Sequence, residues 1–231
     1  MATRRAEAKK AATNPQRGKR ARAGRAGRLY GGRTPQERRE ERRARILMAA
    51  LELFGTRGYA DSTIEGICAE AGVGIRAFYD EFRTREELFR QVYDFAAGRA
   101  FDALEAALLH EPERLMTERV RAALHALLDA LLGDPRCGRV VCIESGALEA
   151  SLGRHRIDTL KRFATFSITA LPPVTQARLP NPRLWSTVLS GGINAVITDW
   201  LISPKRPEIN QLADELTELW LRTLPDPVQG R

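Results

Sequence analysis

One short stretch of the chain places several side chains with nucleic-acid-binding chemistry on a single helical stripe. Between positions 75 and 80, the stripe combines the Ile75 side chain, the Arg76 guanidinium and the Tyr79 phenol, with Asp80 beside them. A guanidinium can donate two hydrogen bonds to a guanine edge, and an aliphatic group can contact a thymine methyl group. A phenol can donate to a phosphate oxygen. The pattern therefore predicts a surface suited to the major groove of DNA.

Two short helices that meet at a glycine corner must position this stripe. At the start of the segment, Ser62 and Glu65 have the S-x-x-E spacing of a capping box, which predicts a helix start. Gly72 should end that helix, because glycine accepts the left-handed conformation. Apolar residues fall at helical spacing in the first helix (Ile64, Ile67, Cys68, Ala71) and on the inner side of the second (Val73, Phe78, Phe82). We predict a helix-turn-helix whose second helix faces outward with the 75–80 stripe.

The residues around this corner resemble the DNA-binding domain of TetR/AcrR-type bacterial transcriptional regulators. The resemblance is carried, in the family's order, by RILMAALELFGTRGY (45–59), DSTIEGICAEAGV (61–73), RAFYDEF (76–82) and FRTREELF (82–89). It implies an all-α fold, with an N-terminal three-helix helix-turn-helix domain followed by a helical effector-binding and dimerisation domain. It also implies DNA contacts at Thr63, Gly74, Ile75, Arg76, Ala77, Tyr79 and Arg85.

Within that set, the resemblance assigns Thr63, Tyr79 and Arg85 to phosphate oxygens and leaves base reading to residues 75–77. The chemistry agrees with this assignment. A hydroxyl beside free helix amides, an exposed phenol and a cation at a helix start each suit a phosphate oxygen.

The sequence departs from the family pattern at the DNA face. Many members have Ser and then Lys or Arg where this chain has Gly74 and Ile75, so a capping hydroxyl and a cation are missing. Asp80 and Glu81 also add negative charge close to the DNA backbone, although such acids can instead hold arginines or accept from cytosine amines. We expect weaker binding by this face unless another part of the chain supplies positive charge.

The net charge of +8 is concentrated at one end of the chain. Residues 1–33 carry eleven Lys and Arg against one acid, a charge of +10, and the rest of the chain sums to −2. This segment has few large apolar side chains, so we predict a disordered basic arm. It is either a solvated tail, even one produced by a wrongly chosen start codon, or an arm that contacts phosphates or the minor groove.

Helix signals and breakers divide the remaining chain. Thr34 to Glu37 predict a first helix that runs to about Gly55, and Thr84 to Glu87 predict a long helix to about Leu109. Further helical segments are expected at 112–132, 136–151, 154–171, 182–202 and 209–224, with no strand of useful length. The predicted organisation is an arm at 1–33, a DNA-binding domain at 34–100 with its helix-turn-helix at 63–82, a C-terminal domain at 101–225 and a tail at 226–231.

The C-terminal domain is expected to dimerise and to bind a small molecule. By resemblance, the last two helices form a twofold four-helix bundle. Its expected interface residues are Trp185, Leu189, Ile193, Val196, Trp200, Leu212, Leu216, Leu219 and Trp220, although both helices could instead be internal core. The candidate ligand-pocket residues are Phe101, Met116, His125, Phe163, Phe166 and Trp185, which could also be plain core.

Other functional classes find little support in the residues. No apolar run is long enough for a membrane span and no signal peptide is present, so we expect a cytoplasmic protein. The three histidines lack partners at metal or catalytic spacing, and we expect no enzyme, metal or cofactor. Cys68, Cys137 and Cys142 are expected to be reduced thiols, with a redox pair of the last two as the alternative.

The sequence therefore predicts a homodimeric regulator of transcription. Its expected partners are a palindromic double-stranded DNA operator, a second copy of the chain and an unknown small-molecule effector that releases a repressor from DNA. The main alternative is a DNA-organising or accessory protein with the same DNA-binding domain but no effector. A helical enzyme is a further alternative for which the chain offers no catalytic constellation.

Overall fold

The computed structural model describes residues 34–110 and 114–225. The chain divides into two units, 1–38 and 39–231, and the first of them is described only from Thr34 to Arg38. The predicted arm at 1–33 and the predicted tail at 226–231 lie outside the described residues. Every regular element in the described residues is a helix, and the predicted all-α fold is confirmed.

The described part of the first unit is the capped start of helix α1 (Pro35–Thr56). The Thr34 N–H donates to Glu37 Oε2 at 2.6 Å, and the Glu37 N–H donates to Thr34 Oγ1 at 3.2 Å. These reciprocal bonds form the predicted capping box, which satisfies amides that have no partner within the helix.

The N-terminal part of the second unit contains the helix-turn-helix. Helix α2 (Ile64–Ala71) and helix α3 (Ile75–Tyr79) are followed by the long helix α4 (Arg85–Leu109). The Thr84 hydroxyl caps α4 by accepting from the Glu87 N–H at 3.0 Å, while the Glu87 carboxylate accepts from the Arg83 N–H at 2.9 Å. The cap is therefore as predicted at Thr84, but its return bond goes to residue 83.

Aromatic side chains form the centre of the core beneath the helix-turn-helix. The Phe54 ring of α1 lies 5.2 Å from the Phe89 ring of α4, and Tyr59 contacts both. Phe78 and Phe82 are fully buried in the same cluster. Because Phe78 of α3 is buried, the opposite side of that short helix is turned toward solvent.

The C-terminal helices follow in the order α5 (Met116–Leu128), α6 (Pro135–Gly138), α7 (Glu149–Thr169), α8 (Pro173–Gln176), α9 (Pro182–Ile202) and α10 (Ile209–Arg222). Between α5 and α7 the backbone is irregular, with π-helical turns at Asp129–Gly133 and Arg139–Ile143 and a 3-10 turn at Glu144–Leu148. Among the described helices, none is both long enough and apolar enough to cross a membrane.

Two features of the predicted helix pattern are wrong in this region. Residues 136–151 do not form one regular helix, and Gly153 does not break the chain but lies within α7. Glycine in a helix costs about 1 kcal/mol relative to alanine. Burial of the neighbouring Leu152 side chain, which is 2% exposed, contributes about 1.5–3 kcal/mol in favour of folding and outweighs that cost.

The predicted dimer residues lie mainly inside a single chain. Leu212, Leu216 and Trp220 are each 8% exposed because their face of α10 packs against α5. The residues of α9 in the predicted set are half-buried against the same core: Trp185, Leu189, Ile193, Val196 and Trp200. Leu219 is exposed. The burial of these α10 residues within one chain favours the alternative noted from the sequence, in which they belong to the internal core.

Large apolar side chains on a different face of α9 are exposed instead. Leu184, Val188 and Ile202 are 59%, 62% and 64% exposed, and Ile157 of the adjacent helix α7 is 50% exposed. Gly191 and Gly192 lie between Val188 and Ile202 in α9, and no other atom is within 4 Å of the position that a Cβ would take at either glycine. Within the described residues, this face of α7 and α9 is therefore an open apolar surface.

Candidate functional site

Backbone geometry at Gly72 creates the corner between α2 and α3. Gly72 has φ 62° and ψ 42°, the left-handed conformation that glycine adopts without a side-chain clash. The Val73 N–H donates to the Cys68 carbonyl at 3.0 Å, which closes the end of α2. Gly74 then precedes α3 without a side-chain cap. The predicted stop at Gly72 is therefore seen, as is the missing capping hydroxyl at Gly74.

The residue that caps α2 is Thr63 rather than the predicted Ser62. The Thr63 hydroxyl accepts from the Gly66 N–H at 3.0 Å. The Ser62 hydroxyl is buried and donates to the Gly58 carbonyl at 2.7 Å, so it closes the loop between α1 and α2. The predicted Ser62–Glu65 capping box is wrong, because the loop requires the Ser62 hydroxyl for its own closure. Thr63 remains exposed while it caps the helix.

Helix α3 presents the predicted stripe to solvent. Tyr79 is 55% exposed and Ile75 is 47% exposed, and Arg76 is also exposed. Ala77 is half-buried, and Phe78 packs into the core beneath. The Phe78 and Tyr79 rings meet edge to face, with their centroids 5.4 Å apart, so the core holds the tyrosine in place. The helix can therefore offer a guanidinium, a phenol and an aliphatic group on one surface.

The Arg85 side chain contacts the loop before α2, which the sequence did not predict. Its Nη1 donates to the Ser62 carbonyl at 2.5 Å, and its guanidinium lies 4.2 Å from the centre of the Tyr59 ring. The Arg85 side chain therefore links the start of α4 to the loop before α2 through a hydrogen bond and a cation–π contact. A guanidinium has five N–H donors, so this contact is compatible with the predicted phosphate contact, which stays a prediction.

Glu81, two residues after Tyr79, is a buried carboxylate surrounded by arginines of α1. Its side chain is 1% exposed, with Arg42 Nη2 at 2.7 Å and Arg39 Nε at 3.0 Å. Burial alone would raise the pKa of Glu81, but the hydrogen bonds from Arg42 and Arg39 together outweigh burial and lower it. Glu81 therefore holds arginines, which is the alternative noted from the sequence, and does not act as an exposed acid.

A cavity of about 100 Å³ lies among α4, α5, α7 and α9. Most of its wall is aliphatic, including Leu104, Leu124 and Ile197. A smaller polar part of the wall contains Tyr93, Cys142, Arg156, Thr159, Ser167, Ser190 and Asn194. A wall of this composition suits a mainly apolar molecule that carries a few polar atoms.

Burial keeps two groups of the polar wall, Cys142 and Tyr93, in their neutral forms. Burial raises the pKa of Cys142 to about 12, with the Arg156 charge opposing the shift. Burial also raises the pKa of Tyr93, against a hydrogen bond with Thr159. Both groups are therefore neutral near pH 7, and the Cys142 thiol is a poor nucleophile because the thiolate is the reactive form.

The structure brings half of the predicted pocket residues to this cavity. Met116, Phe163 and Phe166 line it. Phe101 does not, because its ring packs against the two cavity-lining phenylalanines from the side, 5.3 and 5.2 Å from them. The sequence carried no signal for the polar wall, because those residues come from α4, α7, α9 and the turn Arg139–Ile143, which only the fold brings together.

The other two predicted pocket residues lie elsewhere. His125 Nε2 is 3.1 Å from the carboxylate of Asp214 on α10, where both groups reach solvent. The Trp185 ring packs edge to face against Trp220, 5.3 Å away. Among the described residues, no group of His, Cys, Asp and Glu side chains is arranged to hold a metal ion.

The irregular backbone at 134–148, here called segment 134–148, joins the cavity to the N-terminal helices. Val141 and Cys142 of the segment line the cavity. Three residues from Val141, the Glu144 carboxylate accepts from the Tyr59 N–H at 2.9 Å, in the loop between α1 and α2. At the other end of the segment, Arg136 pairs with Glu52 of α1. Segment 134–148 therefore touches both the cavity and the elements that carry the helix-turn-helix.

The same segment approaches α1 too closely to admit a side chain at one position. A Cβ atom on Gly55 would lie 2.7 Å from the Arg136 Cα. Gly58 has φ 88°, and a Cβ there would lie 3.1 Å from Glu144 Oε2. Both glycines therefore permit the close contact between segment 134–148 and the N-terminal helices.

Parts of the chain are similar to known proteins. Residues 46–92 match the family described as bacterial regulatory proteins, tetR family. The transcriptional activator FasR of Mycolicibacterium smegmatis is 31% identical over 129 residues, which cover 56% of this chain and 56% of FasR. The chain thus spans about half the length of this relative.

Solved structures resemble the chain over a longer range. The fatty acid degradation regulator FadR of Bacillus halodurans has a TM-score of 0.70 at 18% identity, covering 79% of this chain and 95% of FadR. FadR of Bacillus subtilis, solved in complex with stearoyl-CoA, has a TM-score of 0.68 at 20% identity, covering 77% and 96% of the two chains. At these identities the similarity shows the fold.

The corner at Gly72, with its outward-facing short helix, places the protein in the class of helix-turn-helix proteins. The family match specifies the class further. Residues 46–92 match the family of bacterial regulatory proteins that the resemblance predicted, the tetR family.

Proposed function

We propose that this protein is a DNA-binding regulator of transcription that binds a palindromic operator as a homodimer and leaves it when an apolar small molecule occupies the C-terminal cavity. The observation that supports this most directly is the exposure of Arg76 and Tyr79 on a helix anchored by the buried Phe78. The exposed guanidinium and phenol suit double-stranded DNA as a partner, and we place that interaction in the cytoplasm.

In the proposed complex, α3 lies in the major groove. Arg76 donates two hydrogen bonds to a guanine, and Ile75 or Ala77 contacts a thymine methyl group. Tyr79 and Thr63 donate to phosphate oxygens and fix the position of the helix on the duplex. Gly74 brings the backbone close to the DNA, because no side chain separates it from the groove.

The dimer is proposed to form through the open face of α7 and α9 rather than through the buried stripe of α10. Leu184, Val188 and Ile202 lie on this face with Gly191 and Gly192, which allow two helices to approach closely. A twofold axis at this surface would pair two copies of α3 with two half-sites about 34–36 Å apart, or a multiple of that distance.

The effector is proposed to be a molecule with a long apolar body, such as an acyl chain. The aliphatic wall of the cavity supports this class, as does the stearoyl-CoA complex of Bacillus subtilis FadR, a protein of the same fold. Binding cavities for small molecules commonly measure about 300–1,000 Å³, against about 100 Å³ here. An acyl chain would therefore have to push the walls apart, including Val141 and Cys142.

Displacement of that wall offers a route to the DNA-binding helices. Segment 134–148 includes the cavity residues Val141 and Cys142 and also the contact residues Arg136 and Glu144. A ligand that moves the segment would shift α1 and the loop before α2. It would thereby favour a form whose two α3 helices no longer fit the operator. The apolar cavity favours this function over that of a DNA-organising protein without an effector.

Selection of bound duplexes from a random library tests the proposal. We expect enrichment of one palindromic sequence, and release of that duplex when stearoyl-CoA or stearate is added. If no sequence is enriched, the regulator function is contradicted. If a palindrome is enriched but neither compound weakens binding, DNA recognition stands and the proposed effector class is wrong.

A further inference from the structure

We propose that Glu81 is a positioning residue for DNA binding, which orients the Arg39 guanidinium toward a backbone phosphate beside the recognition helix α3. This inference rests on the proposed function as a DNA-binding protein. It adds a phosphate contact from α1 that lies outside the family-derived set of contacts, together with the side chain that holds it in place.

The contact begins with a buried carboxylate that would be unfavourable alone. Glu81 is 1% exposed at its side chain, and a buried carboxylate is stable only when it is paired and hydrogen-bonded. Arg39 Nε donates to its two oxygens at 3.0 and 3.2 Å, and Arg42 Nη2 donates to Oε1 at 2.7 Å. Arg43 Nη1 donates to the Glu81 backbone carbonyl at 3.1 Å.

This group carries more positive than negative charge. Three arginines of α1 meet one carboxylate, and the group stays net positive even when the exposed Asp80 is counted with it. Glu81 follows Tyr79 by two residues, so the excess positive charge lies at the end of the exposed stripe of α3. Phosphate oxygens next to a recognition helix would meet this charge.

The three arginines differ in how far their donors are used. The Arg43 guanidinium lies 4.5 Å from the centre of the Phe82 ring, and it also donates to Gln91 Oε1. The Arg42 side chain is 30% exposed, and its Nη2 donates a hydrogen bond to Glu81 Oε1. The Arg39 side chain is 62% exposed and bonds Glu81 through Nε. No hydrogen bond to another described residue uses its two Nη groups, which can therefore face a ligand on the solvent side.

Pairing through Nε fixes the plane of the guanidinium. With the Arg39 Nε held against the carboxylate, the two Nη groups form a planar pair of donors that matches the geometry of a phosphate. The side-chain entropy of Arg39 is then partly lost before DNA binds, so the contact with phosphate costs less. Lysine would have to make both contacts from one ammonium nitrogen, which lacks the planar pair of donors.

Salt-dependent DNA binding tests the role of Arg39. The affinity of full-length protein for a selected operator and for a random-sequence duplex of equal length is measured across a salt series. For Arg39→Ala, the slope of log affinity against log salt should fall by about 0.9 per protomer, the value for one phosphate contact. Arg39→Lys should keep the slope closer to wild type but bind more weakly. The control is Arg222→Ala, which removes a positive charge from the 75% exposed Arg222 on α10 and should leave the slope unchanged.

The sign of the Glu81→Gln effect tests the positioning role. If Glu81 merely brings negative charge near DNA, its removal strengthens binding. If Glu81 positions Arg39, Glu81→Gln weakens binding and lowers the slope of log affinity against log salt. In the double variant, Arg39→Ala then causes no further change in that slope. Thermal unfolding confirms that each variant is folded. Tight wild-type binding with an unchanged slope in Arg39→Ala overturns this inference alone, whereas a wild-type protein that binds neither duplex overturns the proposed function itself.

Discussion

Replacement of Glu144 by alanine should loosen the contact between segment 134–148 and the loop that follows α1. The Glu144 side chain is 12% exposed, and its carboxylate accepts from the Tyr59 N–H at 2.9 Å and lies 3.3 Å from Arg139 Nη2. Alanine would leave the Tyr59 N–H without its acceptor in a partly buried position. Loss of a partner from a buried donor costs about 1–3 kcal/mol.

The size of the effect can be followed at a single amide. A cost of about 1–3 kcal/mol corresponds to roughly a 5- to 150-fold change in the local opening equilibrium. Hydrogen exchange of the Tyr59 amide, measured by nuclear magnetic resonance, should accelerate by this factor in Glu144→Ala. Urea unfolding should show a free energy of unfolding lowered by up to the same amount. Glu144→Gln keeps an oxygen that can accept from Tyr59, so its exchange should lie between those of wild type and Glu144→Ala.

The control is Glu218→Ala on α10, which removes a 69% exposed carboxylate from a surface pair with Arg222. Surface pairs of this kind contribute about 0–1 kcal/mol, so Tyr59 exchange should not change. Equal Tyr59 exchange in wild type and Glu144→Ala would refute the stabilising role of the contact between Glu144 and Tyr59. If this contact also transmits the effector signal, Glu144→Ala should reduce the loss of DNA affinity that a cavity ligand causes.

Three further results follow from the structure and from the chain's charge distribution. Gly55→Ala should lower the free energy of unfolding in urea by about 1–3 kcal/mol, because the new methyl group meets the Arg136 backbone. Gly98 lies in α4 with open space around it, so Gly98→Ala should raise the free energy of unfolding by about 0.5–1 kcal/mol in the same titration. The pKa of Glu81 is lowered in the folded state, so its contribution to stability should be complete above its unfolded pKa of about 4.3 and should be lost as pH falls through the folded value. The free energy of unfolding in urea should therefore depend less on pH in Glu81→Gln than in wild type over that acidic range. Equal pH dependence in both proteins would contradict the pairing of Glu81 with the arginines. Deletion of residues 1–33, which carry a charge of +10, should flatten the salt dependence of DNA affinity, and an unchanged slope would show that the arm takes no part.

Local patterns in the sequence were sufficient for the helix-turn-helix. The Gly72 corner, the capped starts of α1 and α4, and the division of α3 into a buried side at Phe78 and an exposed side at Tyr79 depend on residues close together in the chain. Such features follow from backbone preferences and helical spacing, which neighbouring residues determine. The sequence therefore predicted this region well.

Long-range packing explains where the sequence was insufficient. Ser62 and Thr63 are both good caps, and the choice between them depends on the Gly58 carbonyl that Ser62 bonds in the folded loop. The stripe of α10 is apolar whether it faces α5 or a second chain, so its spacing alone could not show which one it contacts. In the irregular segment 134–148, Arg136 closely approaches Gly55, and these two residues lie too far apart in the chain for local spacing to predict that contact.

The most direct test of the central claim is a footprint of the operator with wild type, Arg76→Ala and Tyr79→Ala. The claim is that α3 reads DNA through its exposed face. Arg76→Ala should lose discrimination at one base pair of each half-site, worth about 1–3 kcal/mol. Tyr79→Ala should weaken all sites alike and keep the sequence preference. Wild-type footprints and base preferences in both variants would show that this face of α3 does not contact DNA.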